Sequence, residues 1–427
     1  MKYILVIGDG MADTALTELD GNTPLHALSL PSFDRVASCH TGRVLTVPEG
    51  QPAGSDTAIL SIFGYDPRVC YSGRSALEAA GMSIALQKGE ISFRVNLCSV
   101  IENENNERII HSHNGGNIHG EEAVQLMQAL LTDPQFKLKM EQSHLVIHPT
   151  DTFRHIGVFT SDAKEIKALT FTEPHNILMN NIADYLPKTN KAICDPSALQ
   201  LLDDVYALME LSYDILKDHP INKDRIARGL LPATMIWPWG AATDCTLVNF
   251  PKKYNKQGSV VTAVPLVWGI AFLAGLKTPK VEGATGELHT NSEGKVQATL
   301  DALASGDDFA VVHIEAPDEM AHAGDLPSKL EAIQNVESRV VAPLLCEMHK
   351  REEPFRLMLI SDHPTFLTTR KHDGGPVPYA IYDSQTVARS IQEGKELPTR
   401  KFSEKGLANE PLLLEGTELM SILFSQA

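Results

Sequence analysis

The stretch YILVIGDG at residues 3–10 decides the fold class, because its apolar run ends abruptly in an acidic residue. Two later stretches share this design, FAVVHIEAPDE at residues 309–319 and RLMLISDHP at residues 356–364. Continuous apolar runs of this length are typical of strands buried on both faces of a parallel sheet. The sequence therefore predicts an α/β domain with a mostly parallel sheet flanked by helices. The acidic ends of the three strands should lie together at one edge, where open α/β sheets bind ligands.

The middle of the chain has a different character. Three stretches are typical of strands, namely ISFRVNLCSV (91–100), HLVIHPTDTFRHIGVFTS (144–161) and SVVTAVPLVWG (259–269). Two others have the periodicity of amphipathic helices, EEAVQLMQALL (121–131) and SALQLLDDVYALMELSYDIL (197–216). We therefore predict an α+β domain at residues 76–262, inserted into a discontinuous α/β domain made of residues 1–75 and 263–427.

Composition and charge narrow the class of protein. The 427 residues carry 37 Lys and Arg against 54 Asp and Glu, a formal charge of −17, which argues against nucleic acid and anionic membranes as partners. No apolar run reaches the length of about 18 to 20 residues that a membrane span needs, and the first is too short for a signal peptide. Six cysteines without close pairs suit reduced thiols, so we expect a cytoplasmic protein.

Acidic and histidine side chains gather at the three predicted strand ends. They are Asp9, Asp318, His322, Asp362, His363 and, nine residues after His363, His372. Each alone has an ordinary explanation as a helix cap, a turn residue or a solvated surface pair. Their coincidence at three strand ends favours a site for two divalent ions. Asp and His ligands suit Zn²⁺ or Mn²⁺ and tolerate Mg²⁺, and the lack of Cys excludes a thiolate site.

Ser55 is the candidate nucleophile. It follows Gly54 and opens the apolar helical stretch TAILSIFG at residues 57–64. A helix N-terminus offers free N–H groups and the positive end of the dipole to a phosphoryl oxygen. The alternative is an ordinary serine cap, and a nearby dication that activates the hydroxyl would favour the nucleophile.

Four cationic residues are candidates for holding an anionic substrate. They are Arg74, Arg94, Arg154 and Lys295. Arginine suits a phosphate or a carboxylate because its guanidinium donates two parallel hydrogen bonds. The alternative for each arginine is a partner in a surface salt bridge. The loop before Lys295 is not a P-loop, because Val296 stands where Ser or Thr is required.

Seven strings, in order from residue 1 to about residue 380, carry a family resemblance. They are MKYILVIGDGMAD, GSDTAILSIFGYDP, YSGRSALEAAG, VEGATGELHTN, HIEAPDEMAHAGD, SDHPT and KHDGGPVPY. Together they resemble the archaeal-type cofactor-independent phosphoglycerate mutases of the alkaline phosphatase superfamily. The resemblance implies an alkaline-phosphatase-like core with two divalent ions, and an inserted domain that holds the glycerate.

The resemblance also implies residue roles. One ion would be bound by Asp9, Ser55, Asp362 and His363, and the other by Asp318, His322 and His372. Ser55 would take the phosphoryl group from a phosphoglycerate and return it to the other hydroxyl. The implied reaction interconverts 2-phosphoglycerate and 3-phosphoglycerate in glycolysis or gluconeogenesis, without 2,3-bisphosphoglycerate.

The sequence departs from the family at two places in the insert. Asn117 stands in GGNI where many relatives carry AGRI or AGHI, and Trp239-Gly240 stands where archaeal members tend to have Arg-Gly. Fewer cationic groups would weaken the recognition of phosphate or carboxylate. Two alternatives therefore stay open: a homoserine kinase-like phosphotransferase of threonine biosynthesis, which has been proposed for a bacterial branch with this Trp-Gly segment, and a metal-dependent phosphatase.

Overall fold

The computed structural model describes residues 1–160, 169–189 and 196–425, and the chain divides into two compact units. One unit contains residues 1–71 and 246–427, and the other contains residues 72–245. In chain order the described strands are β1 (Lys2–Gly8), β2 (His40–Val44), β3 (Glu90–Glu102), β4 (Arg108–Ser112), β5 (Leu145–His148), β6 (Arg154–Thr160), β7 (Leu169–Thr170), β8 (Lys188–Thr189), β9 (Met235–Thr243), β10 (Gly258–Val261), β11 (Phe309–Ile314), β12 (Phe355–Ile360), β13 (Thr365–Phe366), β14 (Lys371–His372), β15 (Val377–Asp383) and β16 (Leu412–Leu413).

The discontinuous unit is built on a seven-stranded sheet in the order β10-β11-β1-β12-β15-β2-β16. The strands from β10 to β12 are parallel, whereas β15 is antiparallel to both of its neighbours. Ile7 in β1 is in register with His313 in β11 and with Ile360 in β12. The carboxyl ends of these three strands therefore lie side by side, as the sequence predicts.

Helices cover this sheet and bury its apolar side chains. Ile4 and Val6 of β1 are fully buried and share one cluster of apolar side chains with Phe33, Val336 and Leu344. Among the described helices, none is both long and apolar enough to cross a membrane. The helices of this unit are Pro24–Ala27, Pro31–Val36, Ser55–Ile62, Pro67–Cys70, Phe250–Tyr254, Pro265–Leu273, Ser292–Ala304, Ala316–Ala323, Leu326–Val336, the π-helical Glu337–Val341, Ala342–Lys350, Ser384–Gln392 and Leu419–Phe424.

The second unit is built on an antiparallel sheet in the order β4-β3-β6-β5, with β9 also paired to β3. Its described α-helices are Arg74–Gly81, Glu121–Thr132, Pro134–Gln142, Pro196–Leu216 and Pro220–Ala227. Phe93, Leu126, Val205 and Trp237 belong to its apolar core. The predicted fold class, a mostly parallel α/β core with a separate α+β unit, is therefore confirmed.

One predicted strand is assigned to the wrong part of the chain. The apolar run at residues 259–269 contains β10, which pairs with β11 in the discontinuous unit, and the helix Pro265–Leu273. The boundary predicted near residue 263 therefore differs from the division after residue 245, and the one near residue 75 from the division after residue 71. An apolar run alone does not distinguish a short buried strand from a buried helix, which explains the difference.

Candidate active site

The first candidate cluster lies at the carboxyl ends of β1 and β12. Asp9 follows β1, Asp362 and His363 follow β12 closely, and all three are buried. One ligand atom from each lies within 4.8 Å of the others. Ser55 joins this cluster, because its Oγ lies 3.2 Å from Asp9 Oδ2 and 3.1 Å from His363 Nε2. Four of the residues predicted from sequence are therefore brought together.

Ser55 does not act as a helix cap. The helix Ser55–Ile62 begins after Gly54, and no side chain caps it. Asp56, the next residue, accepts a hydrogen bond from the backbone N–H of Thr57 at 2.9 Å. The Ser55 hydroxyl is therefore directed at Asp9 and His363 rather than at the start of its own helix.

The charges of the first cluster favour a bound cation. Burial and the carboxylates of Asp362 and Asp318 raise the pKa of Asp9 well above its usual range. Asp362 Oδ2 is buried and accepts no hydrogen bond from any described residue. Buried carboxylates that crowd together are unstable as anions unless donors or a cation neutralise them. The set of ligand atoms, and an Asp362 oxygen that accepts no hydrogen bond, fit a divalent ion.

The second candidate cluster contains Asp318, His322 and His372. Asp318 and His322 lie one turn apart on the helix Ala316–Ala323, and His372 lies on β14. The Nε2 atoms of the two histidines are 2.8 Å apart, and they lie 3.2 and 3.4 Å from the Asp318 carboxylate oxygens. The hydrogen bond with Asp318 raises the pKa of His322 to about 9. The same attraction for positive charge would favour a metal ion at these atoms.

Backbone carbonyls orient both histidines of the second cluster. His322 Nδ1 lies 2.9 Å from the carbonyl oxygen of Arg370, and His372 Nδ1 lies 3.2 Å from that of Ala53. Since a carbonyl only accepts, each Nδ1 carries a proton and donates it. Such outer contacts are characteristic of histidines that bind metal through the other nitrogen. The second cluster therefore also fits a divalent ion.

The two clusters are adjacent. The rings of His363 and His372 have centroids 4.2 Å apart. The Thr365 hydroxyl lies 2.5 Å from Asp318 Oδ1 and 3.2 Å from His363 Nδ1, so it contacts one member of each cluster. The arrangement is suited to two neighbouring cations with Ser55 beside the first.

The sequence did not point to His313 as part of the site. This residue lies in β11 and is fully buried, with Nε2 2.9 Å from Asp9 Oδ2 and Nδ1 3.1 Å from Thr262 Oγ1. Burial lowers its pKa to about 3, so the ring is neutral and donates to Asp9. The sequence does contain one signal for this contact, a histidine within an otherwise apolar strand. Such a histidine is buried, and a buried polar group needs a hydrogen-bond partner.

Lys295 lies close to the site but faces the backbone. Its side chain is 1% exposed, and Nζ donates to the carbonyl oxygen of His313 at 3.1 Å. Burial lowers its pKa to about 8. The predicted role in substrate binding therefore stays a prediction, and the contact that the structure provides is with β11.

The three predicted arginines lie together in the second unit, around Glu78. Arg94 donates to the Glu78 carboxylate from Nε and Nη2 at 2.9 and 3.0 Å, and Arg74 donates from Nε at 3.1 Å. Although burial acts in the opposite direction, Arg94 and Arg74 hold the pKa of Glu78 below its usual range. Arg154 contributes a third positive charge near this carboxylate. Three cations therefore lie near the Glu78 carboxylate.

Arg154 is the member of this group with an unused donor. Its Nε is buried and has no hydrogen-bond partner among the described residues, and its guanidinium lies 5.2 Å from the centroid of the Phe153 ring. Burial lowers its pKa. A buried donor without a partner is costly, and an anionic ligand would satisfy it.

Trp239 and Asn117, the two residues that depart from the family pattern, have different surroundings. Trp239 is buried, donates from Nε1 to Asn96 Oδ1 at 3.0 Å, and lies under the Arg94 guanidinium, 4.1 Å from the ring centroid. Asn117 has a φ of +58°, a left-handed conformation that Asn tolerates. Trp239 therefore packs against Arg94, one of the three arginines, and does not itself add a positive charge to this group.

Comparisons with known proteins indicate one family. A family model for "2,3-bisphosphoglycerate-independent phosphoglycerate mutase" matches residues 37–222. A protein of Geobacter sulfurreducens named "Probable 2,3-bisphosphoglycerate-independent phosphoglycerate mutase" is 38% identical, and a Methanothrix thermoacetophila protein with that name without "probable" is 37% identical, each with 100% of both chains covered. The solved structure of PH0037 protein from Pyrococcus horikoshii has a TM-score of 0.75 at 26% identity, with 100% of this chain and 98% of that chain covered. The chain belongs to the family of 2,3-bisphosphoglycerate-independent phosphoglycerate mutases.

Proposed function

We propose that this chain interconverts 2-phosphoglycerate and 3-phosphoglycerate through a phosphoserine at Ser55. The observation that carries the proposal is the position of Ser55 Oγ, which lies 3.2 Å from Asp9 Oδ2 and 3.1 Å from His363 Nε2 and caps no helix. A hydroxyl directed at a cluster of metal-ligand groups is what nucleophilic phosphoryl transfer requires. Family membership and the names of the two relatives support the choice of substrate.

The residues of the two clusters would hold two divalent ions. We assign one ion to Asp9, Ser55, Asp362 and His363, and the other to Asp318, His322 and His372. Such ions, when bound, lower the pKa of a coordinated hydroxyl and stabilise charge on phosphoryl oxygens. The neutral His313 donates to Asp9 and keeps that carboxylate in position. Asp and His donors suit Mn²⁺ and Zn²⁺ and tolerate Mg²⁺.

The proposed transfer needs neither water nor a second phosphorylated substrate. Ser55 Oγ forms a bond to phosphorus while the ester oxygen of the phosphoglycerate leaves, and the serine proton ends on that oxygen. The other hydroxyl of the bound glycerate then attacks the phosphoserine, and Ser55 regains a proton. A mutase differs from a phosphatase because it retains the glycerate and excludes water between the two steps.

The arginines of the second unit are the proposed anchor for the anionic substrate. Arg154 offers a buried Nε that has no hydrogen-bond partner among the described residues, whereas Arg74 and Arg94 donate to Glu78. A guanidinium group with an unused donor favours a carboxylate or a phosphate, which accepts bidentate hydrogen bonds. Arg154 is therefore the residue that we propose to contact the substrate directly.

The hydrogen bonds that Glu78 already accepts favour an acidic substrate over homoserine. An amino acid substrate needs a free carboxylate for its ammonium group, whereas the Glu78 carboxylate already accepts three hydrogen bonds from Arg74 and Arg94. An ammonium group would also be repelled by the positive charge of Arg154. We therefore place phosphoglycerate before homoserine.

The test is an assay of chelator-stripped protein with 3-phosphoglycerate, coupled to enolase, in which Mn²⁺, Mg²⁺ and Zn²⁺ are compared. We expect metal-dependent turnover without added 2,3-bisphosphoglycerate. The Ser55→Ala variant should be inactive, and Ser328→Ala, which removes a serine near the start of another helix, should keep full activity.

A second readout identifies the intermediate. Intact-mass measurement after incubation with 3-phosphoglycerate should show one added phosphoryl group in the wild type and none in Ser55→Ala. An active Ser55→Ala variant would contradict the nucleophile assignment. Turnover with homoserine and ATP, but none with phosphoglycerate, would contradict the proposed substrate.

A further inference from the structure

One buried hydroxyl contacts both candidate clusters. Thr365 begins β13 and is fully buried. Its Oγ1 lies 2.5 Å from Asp318 Oδ1 in the second cluster and 3.2 Å from His363 Nδ1 in the first. A hydroxyl is both a donor and an acceptor, so it can serve both neighbours at once.

The direction of these hydrogen bonds follows from the groups around them. The ionised carboxylate of Asp318 only accepts, so the Thr365 hydroxyl donates to it. His363 Nδ1 faces two acceptors, Thr365 Oγ1 and the carbonyl oxygen of Pro364 at 3.4 Å, and therefore carries the ring proton. The lone pair of His363 is then on Nε2, which faces Ser55 Oγ at 3.1 Å. Thr365 thus orients the atom of His363 that would bind a metal.

The backbone of Thr365 forms hydrogen bonds with buried groups. Its N–H donates to the carbonyl oxygen of Ala12 at 3.0 Å, and its carbonyl oxygen accepts from Lys329 Nζ at 2.7 Å. Lys329 is fully buried and pairs with Asp13 Oδ2 at 2.8 Å. All polar groups of Thr365 therefore have partners, and the position of its hydroxyl is restricted.

Gly10 leaves the space that this arrangement needs. It has a φ of +60°, and a side-chain Cβ there would lie 2.6 Å from Asp318 Oδ1 and 2.7 Å from Thr365 Oγ1. Any other residue would push the carboxylate and the hydroxyl apart. The close contact of Asp318 with Thr365 is thus built into the loop that follows β1.

We propose that Thr365 is a positioning residue that couples the two metal sites, an inference that rests on the proposed two-metal function. Occupancy of the first cluster restrains His363, which restrains the Thr365 hydroxyl and through it Asp318. The second cluster is then oriented before it is filled. Binding of the two ions should therefore show positive cooperativity, because each occupied site reduces the rearrangement that the other requires.

The test is calorimetric titration of chelator-stripped protein with Mn²⁺. The wild type and Thr365→Ser, which keeps the hydroxyl, should each bind two ions. Thr365→Val, which keeps the shape and removes the hydroxyl, should bind them about 10 to 100 times more weakly, the loss that is typical when an outer hydrogen bond to a metal ligand is removed. Thr365→Ala repeats the measurement without the second methyl group. Circular dichroism checks that each variant is folded.

A second measurement tests whether Thr365 couples the two metal sites or affects only the ligands that it contacts. His322→Ala removes one ligand of the second site, and in the Thr365→Ser background this change should also weaken Mn²⁺ binding at the first site. In the Thr365→Val background the effect of His322→Ala on the first site should be absent, because the connection is already broken. An equal effect of His322→Ala in both backgrounds would overturn the coupling.

The outcomes distinguish this inference from the proposed function. If the folded wild type binds no Mn²⁺, both the two-metal function and the role of Thr365 are overturned. If the wild type binds two ions and Thr365→Val and Thr365→Ala bind them with unchanged affinity, only the role of Thr365 is overturned. If Thr365→Val does not fold, Thr365→Ala decides.

Discussion

Arg94 and Arg154 should respond in different ways to the same substitution. Arg94 donates two hydrogen bonds to the buried Glu78 carboxylate, at 2.9 and 3.0 Å. Arg154 lies near the same carboxylate, but its Nε is buried without a described partner. We therefore expect Arg94→Met to destabilise the second unit, and Arg154→Met to weaken substrate binding while the fold is maintained.

The expected change in stability or activity for each variant follows from the contacts that the substitution removes. Arg94→Met leaves the Glu78 carboxylate, 8% exposed, with Arg74 as its hydrogen-bond partner, and breaking a buried ion pair costs about 3–5 kcal/mol. Arg154→Met removes a cation whose Nε has no hydrogen-bond partner among the described residues, so the free energy of unfolding should change by less than about 1 kcal/mol. Loss of a charge-assisted hydrogen bond to the substrate is worth about 1.5–3 kcal/mol, or about 10- to 150-fold in kcat/KM.

The assay combines urea unfolding with mutase kinetics. Two of the three tryptophans, Trp237 and Trp239, lie in the second unit with the arginines, and Trp268 lies in the first, so tryptophan fluorescence reports mainly on the second unit. Arg228→Met is the matched control, because Arg228 lies in the same unit and is 46% exposed in its ion pairs with Glu122 and Asp224. It should change neither stability nor kcat/KM appreciably.

Two results would refute this reasoning. If Arg154→Met lowers stability as much as Arg94→Met, Arg154 has a structural partner that the geometry does not reveal. If Arg154→Met is stable and has the kcat/KM of the wild type, Arg154 does not contact the substrate, and the proposed anchor is wrong.

Three further predictions concern the nucleophile, the metals and pH. Ser55→Ala should be inactive yet unfold within about 0.5 kcal/mol of the wild type, because the hydroxyl caps no helix; a larger loss in urea titrations would contradict this. Mn²⁺ at about 100 times the dissociation constant of one site should raise the free energy of unfolding by about 2.7 kcal/mol through that site; no shift in the melting temperature would contradict binding to the folded state. His155 is fully buried, and burial lowers its pKa to about 3, below the unfolded value near 6.5. The unfolded state therefore takes up the proton first on acidification, and stability should fall by about 1.5 kcal/mol between pH 6.5 and pH 5. This loss should be absent from the unfolding curves of folded His155→Gln, and an equal pH dependence would contradict the assignment.

The fold class was predictable because β1, β11 and β12 are apolar along their whole length. Strands buried on both faces show this pattern, and their polar ends mark the edge of the sheet. The placement of β10 was not predictable in the same way. Its four residues continue into a buried helix that begins at Pro265, so the strand and helix together form one apolar run. Pairing with β11, which is distant in sequence, decides where β10 belongs.

The ligand-type residues were predictable because their chemistry is unusual at strand ends. His313 and Thr365 were not, since each has an ordinary place in a strand and acquires its role from a contact across the chain. His313 contacts Asp9, 304 residues away, and Thr365 contacts Asp318, 47 residues away. The grouping of Arg74, Arg94 and Arg154 around Glu78 likewise depends on the pairing of β3 with β6 and β9.

The charge of the two clusters implies an order of binding. Asp9, Asp318 and Asp362 bring three carboxylates into the two adjacent clusters, in a chain whose formal charge is −17. A phosphoryl group carries further negative charge, so without metal this site repels the group that Ser55 must attack. Two divalent ions would bring four positive charges to these carboxylates and so attract the phosphoryl group. Phosphoglycerate should therefore bind productively after the metals.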